Sequence, residues 1–153
     1  MLPKWHILIG AIFSVFLFLL GSSLINTLIF FLASFLIDAD HYLYYMYRKK
    51  ELSLKKAFRW YLELDKKYFA LPKNSRDKYC YGFCIFHGIE SIILVFVISF
   101  FYNPLAFIAL GFLLHLVLDT FLKIIEGGDP LELSSIIYKL YYNSKRKNLE
   151  SSF

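Results

Sequence analysis

Four long apolar runs divide the chain, and the polar residues inside them are few. The first extends from Trp5 to Leu20 and the second from Ser23 to Tyr47. After a polar interval, the third extends from Cys80 to Phe101 and the fourth from Pro104 to Ile125. Runs of this length suit helices that cross roughly 30 Å of hydrocarbon at about 1.5 Å per residue. The punctuation agrees with them. Pro3 suits a first helical turn and Gly21 a C-terminal cap, Ser22 or Ser23 can cap the second helix, Asn103-Pro104 opens the fourth, and Gly127-Gly128 stops it. The pattern predicts an all-α integral membrane four-helix bundle, one domain over 1–153, with spanning helices at 5–20, 23–47, 80–101 and 104–125.

Between the second and third runs lies the one long polar stretch, 48–79. Within it Leu54, Ala57, Phe58, Tyr61 and Leu62 recur at helical spacing while Lys55, Lys56 and Arg59 fall elsewhere. This is the pattern of a basic amphipathic helix that lies on the membrane or caps the bundle. Leu71-Pro72 ends it. Asp129-Pro130-Leu131-Glu132 has the form of an N-terminal cap for a short closing helix over 129–143, with Leu133, Ile136, Ile137, Leu140 and Tyr141 on one face.

Composition changes the picture little and charge changes it more. With 58% hydrophobic and 20% aromatic residues and a mean hydropathy of +0.53, the chain is too apolar for an ordinary soluble domain. Of its 17 Lys and Arg, eleven lie between Arg48 and Lys78 and four between Lys139 and Lys147, while the turns near Gly21 and Asn103 hold none. Such asymmetry places the basic segment and both termini on the cytoplasmic side and makes membrane lipids, rather than nucleic acid, the expected partner. Cys80 and Cys84 fall four apart on one helical face, which suits buried thiols better than a disulfide.

The candidate chemistry lies where polar groups are costly. All four histidines (His6, His41, His87, His115) and the carboxylates Asp38, Asp40, Glu90 and Asp119 lie in apolar runs. An unpaired Asp at mid-membrane costs about 3 kcal/mol, so four embedded carboxylates rival the stability of a whole domain. Asp38 and His41, His87 and Glu90, and His115 and Asp119 are each one helical turn apart, so each pair projects from one face. In an up-and-down bundle all of them reach similar depth, within about 15 Å of the cytoplasmic boundary. Gly88 and Gly111, beside or one turn before a candidate ligand, allow close helix approach. So many nitrogen and oxygen donors suit a two-ion divalent metal site with an open position for water. The donors fit zinc, manganese, iron or magnesium, with zinc the first expectation. Asp40 or Glu90 is the candidate general base.

His6, Asp38-Ala39-Asp40-His41, Phe86-His87-Gly88-Ile89-Glu90-Ser91 and Gly111-x-x-x-His115-Leu116-x-Leu118-Asp119 together resemble the membrane-bound metal-dependent hydrolase family, which is distantly similar to zinc-dependent phospholipase C. The resemblance spans about 5–126. It implies His6, Asp38, Asp40, His41, His87, His115 and Asp119 as metal ligands and hydrolysis of a phosphoester, such as a lipid or polyprenyl phosphate, at the cytoplasmic leaflet. The chain departs from the family at Tyr81-Gly82-Phe83, where many members carry a His and an Arg, and this bears on turnover more than on metal binding. The competing expectations are a non-enzymatic metal-binding scaffold or ion carrier, and an adaptor built on the basic segment.

Overall fold

The computed structural model describes residues 3–76, 78–80, 86–125, 135–143 and 147–148, and the described fold is helical. Helix α1 (Pro3–Leu19) turns at Gly21, whose φ of +92° falls where side chains are strained, into α2 (Leu24–Leu36). The Ser23 hydroxyl caps α2 by accepting the Asn26 N–H at 3.3 Å. After Ile37-Asp38 comes α3 (Ala39–Lys49), then α4 (Leu54–Ala70), which Ser53 caps and Leu71 ends just before Pro72. One turn of helix, α5 (Lys73–Arg76), precedes β1 (Tyr79–Cys80), which pairs in parallel with β2 (Lys147–Asn148). Helices α6 (Ile89–Ser99), α7 (Pro104–Ile125) and α8 (Ile136–Asn143) complete the described elements.

The second apolar run is interrupted where the sequence reads as one helix. At the junction, the N–H groups of Asp38, Asp40 and His41 bond the carbonyls of Phe35, Ile37 and Asp38, three residues back, at 3.1–3.3 Å. This tightened turn is a frequent device at functional positions. Taken through the junction, Leu24–Lys49 is 26 residues, and with the 22-residue α7 it makes two helices long and apolar enough to cross a membrane. α1 and α6 are apolar but shorter. Residues 81–85, with Cys84 and the Tyr81-Gly82-Phe83 departure, lie outside the described residues, as do 126–134 with the Gly127-Gly128 stop and the Asp129 cap.

Helix α2 packs between α1 and α7, and α6 packs on α7. The interior mixes small and polar residues (Ser14, Thr27, Ala33, Ser34, Ala109) with the larger Phe30, Ile37, Ile92 and Leu116, while Ile12, Phe16, Leu19, Ile25, Leu94 and Phe121 face outward. Between the helices small residues let backbones approach, and hydroxyls bond within their own helices. Ser14 Oγ donates to the Gly10 carbonyl at 2.7 Å and Thr27 Oγ1 to the Ser23 carbonyl at 3.0 Å. A Cβ on Gly111 would stand 2.7 Å from the Phe30 carbonyl oxygen, so α7 reaches the α2 backbone only because residue 111 has no side chain.

The buried stripe of α4 is turned from the expected one. Ala57, Leu64 and Tyr68 are buried and Tyr61 half-buried, whereas Leu54 and Phe58 are exposed. The stripe follows the contacts: Tyr61 donates to the His41 carbonyl at 3.0 Å and Lys123 of α7 donates to the Tyr68 hydroxyl at 3.4 Å. Helix α4 thereby caps the ends of α3 and α7. At its start Lys56 and Tyr45 hold the Glu51 carboxylate below the usual carboxylate range.

Candidate metal centre

Six of the eight residues singled out in the sequence come together at one end of the bundle. Asp38, at the α2–α3 junction, is the hub: its Oδ1 lies 3.2 Å from His87 Nε2, 3.4 Å from His115 Nε2 and 3.7 Å from His41 Nε2. Asp119, one turn beyond His115 on α7, places Oδ2 3.2 Å from His115 Nε2 and Oδ1 3.1 Å from His6 Nε2. The His6 and His115 rings stack with centroids 3.8 Å apart. His6, His87 and His115 are buried, while Asp38 and His41 keep 28% and 38% of their side chains accessible, so the cluster opens on their side.

Which nitrogen of each ring faces the centre follows from what holds the other. His115 Nδ1 lies 2.9 Å from the Ser34 carbonyl oxygen, which can only accept, so Nδ1 carries the proton. In a neutral ring the Nε2 lone pair then faces two carboxylates, and this buried nitrogen has no aligned hydrogen bond among the described residues. His87 repeats the arrangement, with Nδ1 3.0 Å from Asp40 Oδ2 and Nε2 turned to Asp38. Lone pairs aimed at carboxylate oxygens repel unless a cation, either a proton or a metal ion, lies between them. A ligating histidine is commonly held in this way, through its far nitrogen, by a carbonyl or carboxylate.

The spacing also fits a metal. Two donors about 2.1 Å from one tetrahedral ion stand about 3.4 Å apart. The contacts of 3.2 Å (His87–Asp38), 3.4 Å (His115–Asp38) and 3.2 Å (His115–Asp119) are close to that edge. Three overlapping triads have donor atoms within 4.8 Å of one another: His6, Asp38 and His115; Asp38, His41 and His87; and His87, His115 and Asp119. Shared membership of Asp38, His87 and His115 allows more than one ion without requiring it.

Two expected residues take other positions. Asp40 stands behind His87: its Oδ2 accepts from His87 Nδ1 and from the Phe86 N–H at 3.1 Å, which fixes the ring. Glu90 is not brought to the cluster, because its carboxylate caps α8, accepting from the Ser135 hydroxyl and from the N–H groups of Ile136 at 2.9 Å and Ile137 at 3.2 Å. Orphan N–H groups at a helix start draw in a carboxylate, and α6 and α8 approach closely over Gly88. The sequence reading missed Ser34, which acts through its main-chain carbonyl and so leaves no trace in side-chain chemistry. It also missed Gly10, which meets Ser34 and lies one turn after His6, a spacing that mirrors Gly111 before His115.

Comparison with known protein families, with curated proteins and with solved structures gives no match. The site is therefore read from its own geometry: buried histidine and aspartate groups able to hold a metal ion, on a helical scaffold with two helices apolar enough to cross a membrane.

Proposed function

We propose that this chain is a membrane-embedded metal-dependent hydrolase of the kind its motifs resemble, acting on a phosphoester of a lipid or polyprenyl phosphate at the cytoplasmic leaflet. On this reading α1 and α6 join the two longer helices in a four-helix bundle, and both termini lie on the cytoplasmic, Lys- and Arg-rich side. The observation that supports it best is the convergence of the His87 and His115 Nε2 atoms on Asp38, each ring oriented from behind. His6, Asp38, His87, His115 and Asp119 would hold the ion, with His41 at the open edge. A divalent ion bound there, zinc first among the candidates, supplies Lewis acidity and water acidified to a pKa of about 7. Because Glu90 serves α8 and Asp40 serves His87, His41 is left to move a proton at its Nε2, beside Asp38 and next to the accessible side. Tyr61 holds the main chain of His41 in place.

Metal analysis of the detergent-purified protein, followed by a panel of lipid phosphates, phosphodiesters and esters, tests the reading. Zinc-dependent release of phosphate that Asp119→Asn abolishes, with helix content retained, is the expected result. Metal uptake with no turnover on any substrate would replace it by the second reading, a non-enzymatic metal-binding scaffold or ion carrier. One observation favours that alternative: among the described residues, neither carboxylate expected as general base is left over for the role.

A further inference from the structure

Helix α4 carries two apolar stripes, and only one of them packs on the protein. Ala57, Tyr61, Leu64 and Tyr68 form the packed side. At about 100° per residue, Leu54, Phe58 and Phe69 lie roughly a quarter turn round the helix. They are 68%, 51% and 40% exposed. Lys55, Arg59 and Lys66 come next in the same sense, exposed and with no ion pair among the described residues. Asp65, at the border of the packed side, is half-buried and already partnered. The corner that leads into α4 extends the second stripe. Its main chain is held from inside, because the Tyr42 hydroxyl donates to the Leu52 carbonyl at 2.6 Å and the Tyr45 hydroxyl to the Glu51 carboxylate at 2.9 Å. The Leu52 side chain is nevertheless 76% exposed. On the α3 side of the corner Tyr47 is exposed, with Lys50 Nζ 4.8 Å from its ring centroid. Single exposed apolar residues are ordinary, whereas a run of them on one helix face, rimmed by cations, marks a membrane or partner surface.

We propose that this second face of α4, with Leu52, Leu54 and Phe58 as an apolar wedge and Lys55, Arg59 and Lys66 as a cationic rim, lies in the head-group layer of an anionic leaflet. This rests on the membrane reading above but not on the metal. Charge decides the occupant: eleven of the 17 Lys and Arg lie between Arg48 and Lys78, and lipid phosphates are the dense anionic surface beside a spanning helix. Lipid also takes both halves of the face at once, acyl chains against Leu and Phe and phosphates against the cations. The helix then has a different partner on each side. Tyr61, on the packed side, holds the His41 carbonyl at 3.0 Å, so the depth at which α4 rides among the head groups is coupled to the open edge of the cluster.

The test uses the full chain in lipid vesicles, with Cys80 and Cys84 replaced by Ala and a single cysteine at Leu54, Phe58, Glu63 or Val117 carrying a fluorophore. Glu63 is exposed on the side of α4 opposite Leu54, and Val117 is exposed on the outer side of α7. In vesicles containing phosphatidylglycerol, aqueous acrylamide is expected to quench the labels at Leu54 and Phe58 at least about threefold more weakly than the label at Glu63, and brominated acyl chains at least about threefold more strongly. Phosphatidylcholine alone should reduce the contrast at least about twofold, and so should Lys55→Gln with Arg59→Gln in the anionic vesicles, since each cation near such a surface is worth about fivefold. The native chain supplies a second measure, which decides the matter if the cysteine-free chain does not fold: hydrogen exchange over 50–58 should slow at least about threefold when anionic lipid replaces neutral lipid. Acrylamide quenching at Leu54 and Phe58 with Val117 protected overturns the proposal and leaves the membrane reading standing, whereas quenching at Val117 as well refutes both. Protection from acrylamide without quenching by brominated lipid assigns the face to a protein partner or a second copy and overturns the proposal. Equal protection in neutral and anionic vesicles also overturns it.

Discussion

Asp40→Asn separates a metal centre from a purely structural network of ion pairs. Asp40 is 5% exposed, and its Oδ2 accepts from both His87 Nδ1 and the Phe86 N–H while Oδ1 has no described partner. An asparagine keeps the shape and one accepting oxygen, loses the charge that makes His87 a better donor, and buries an NH2 where no acceptor waits. Loss of such an orienting partner lowers metal affinity about 10- to 100-fold, or about 1.4 to 2.8 kcal/mol. Because an ion that binds only the folded state stabilises it by RT ln(1 + [L]/Kd), the same amount disappears from zinc-dependent stability at saturating zinc. At the roughly 2 to 4 °C per kcal/mol usual for chains of this size, the gap between melting temperatures with zinc and with chelator should narrow by roughly 3 to 11 °C. The assay is a pair of thermal melts for each protein, with zinc affinity measured by competition against a chromophoric chelator. An Asn variant that melts lower by the same amount with zinc and with chelator, at unchanged affinity, would falsify the metal reading, since Asp40 would then act through ion pairing alone.

Three further predictions address the scaffold. Gly111→Ala should destabilise the protein by about 1 to 3 kcal/mol and weaken zinc binding as well, because a methyl 2.7 Å from the Phe30 carbonyl and Ala33 Cβ pushes α7 off α2 and takes His115 with it; melts and zinc titration of the variant check both effects. Glu90→Gln should leave zinc content intact but speed hydrogen exchange or protease cutting in α8, whereas zinc loss would return Glu90 to the metal site. Cysteines introduced at Ser23 and Lys66 should label from opposite sides of a sealed vesicle, and labelling from the same side would refute the four-span topology.

What could be read from the sequence was whatever periodicity and cost encode. Pro104, Gly21 and Ser23 punctuate the helices where expected, and the cost of setting Asp38, Asp119 and the histidines in apolar runs marks the cluster. What escaped was tertiary. A one-turn spacing puts His87 and Glu90 on one face of a continuous helix, but α6 begins at Ile89, so His87 precedes it and the two side chains part. The tightened turn at Ile37-Asp38, the stripe of α4 that packs and the docking of α8 on Glu90 depend on partners distant in sequence, about which local spacing carries no information.

The cluster draws on both ends of the chain: His6 meets Asp119 across 113 residues, and Asp38 meets His87 across 49. On the reading proposed above, a chain made only as far as α3 would present Asp38, Asp40 and His41 without the His87 and His115 that they meet in the complete fold. An ion held by both halves could not be held by a half-made chain, so its loading would report that the halves have found each other, and a shortage of the ion would leave them folded but unlatched.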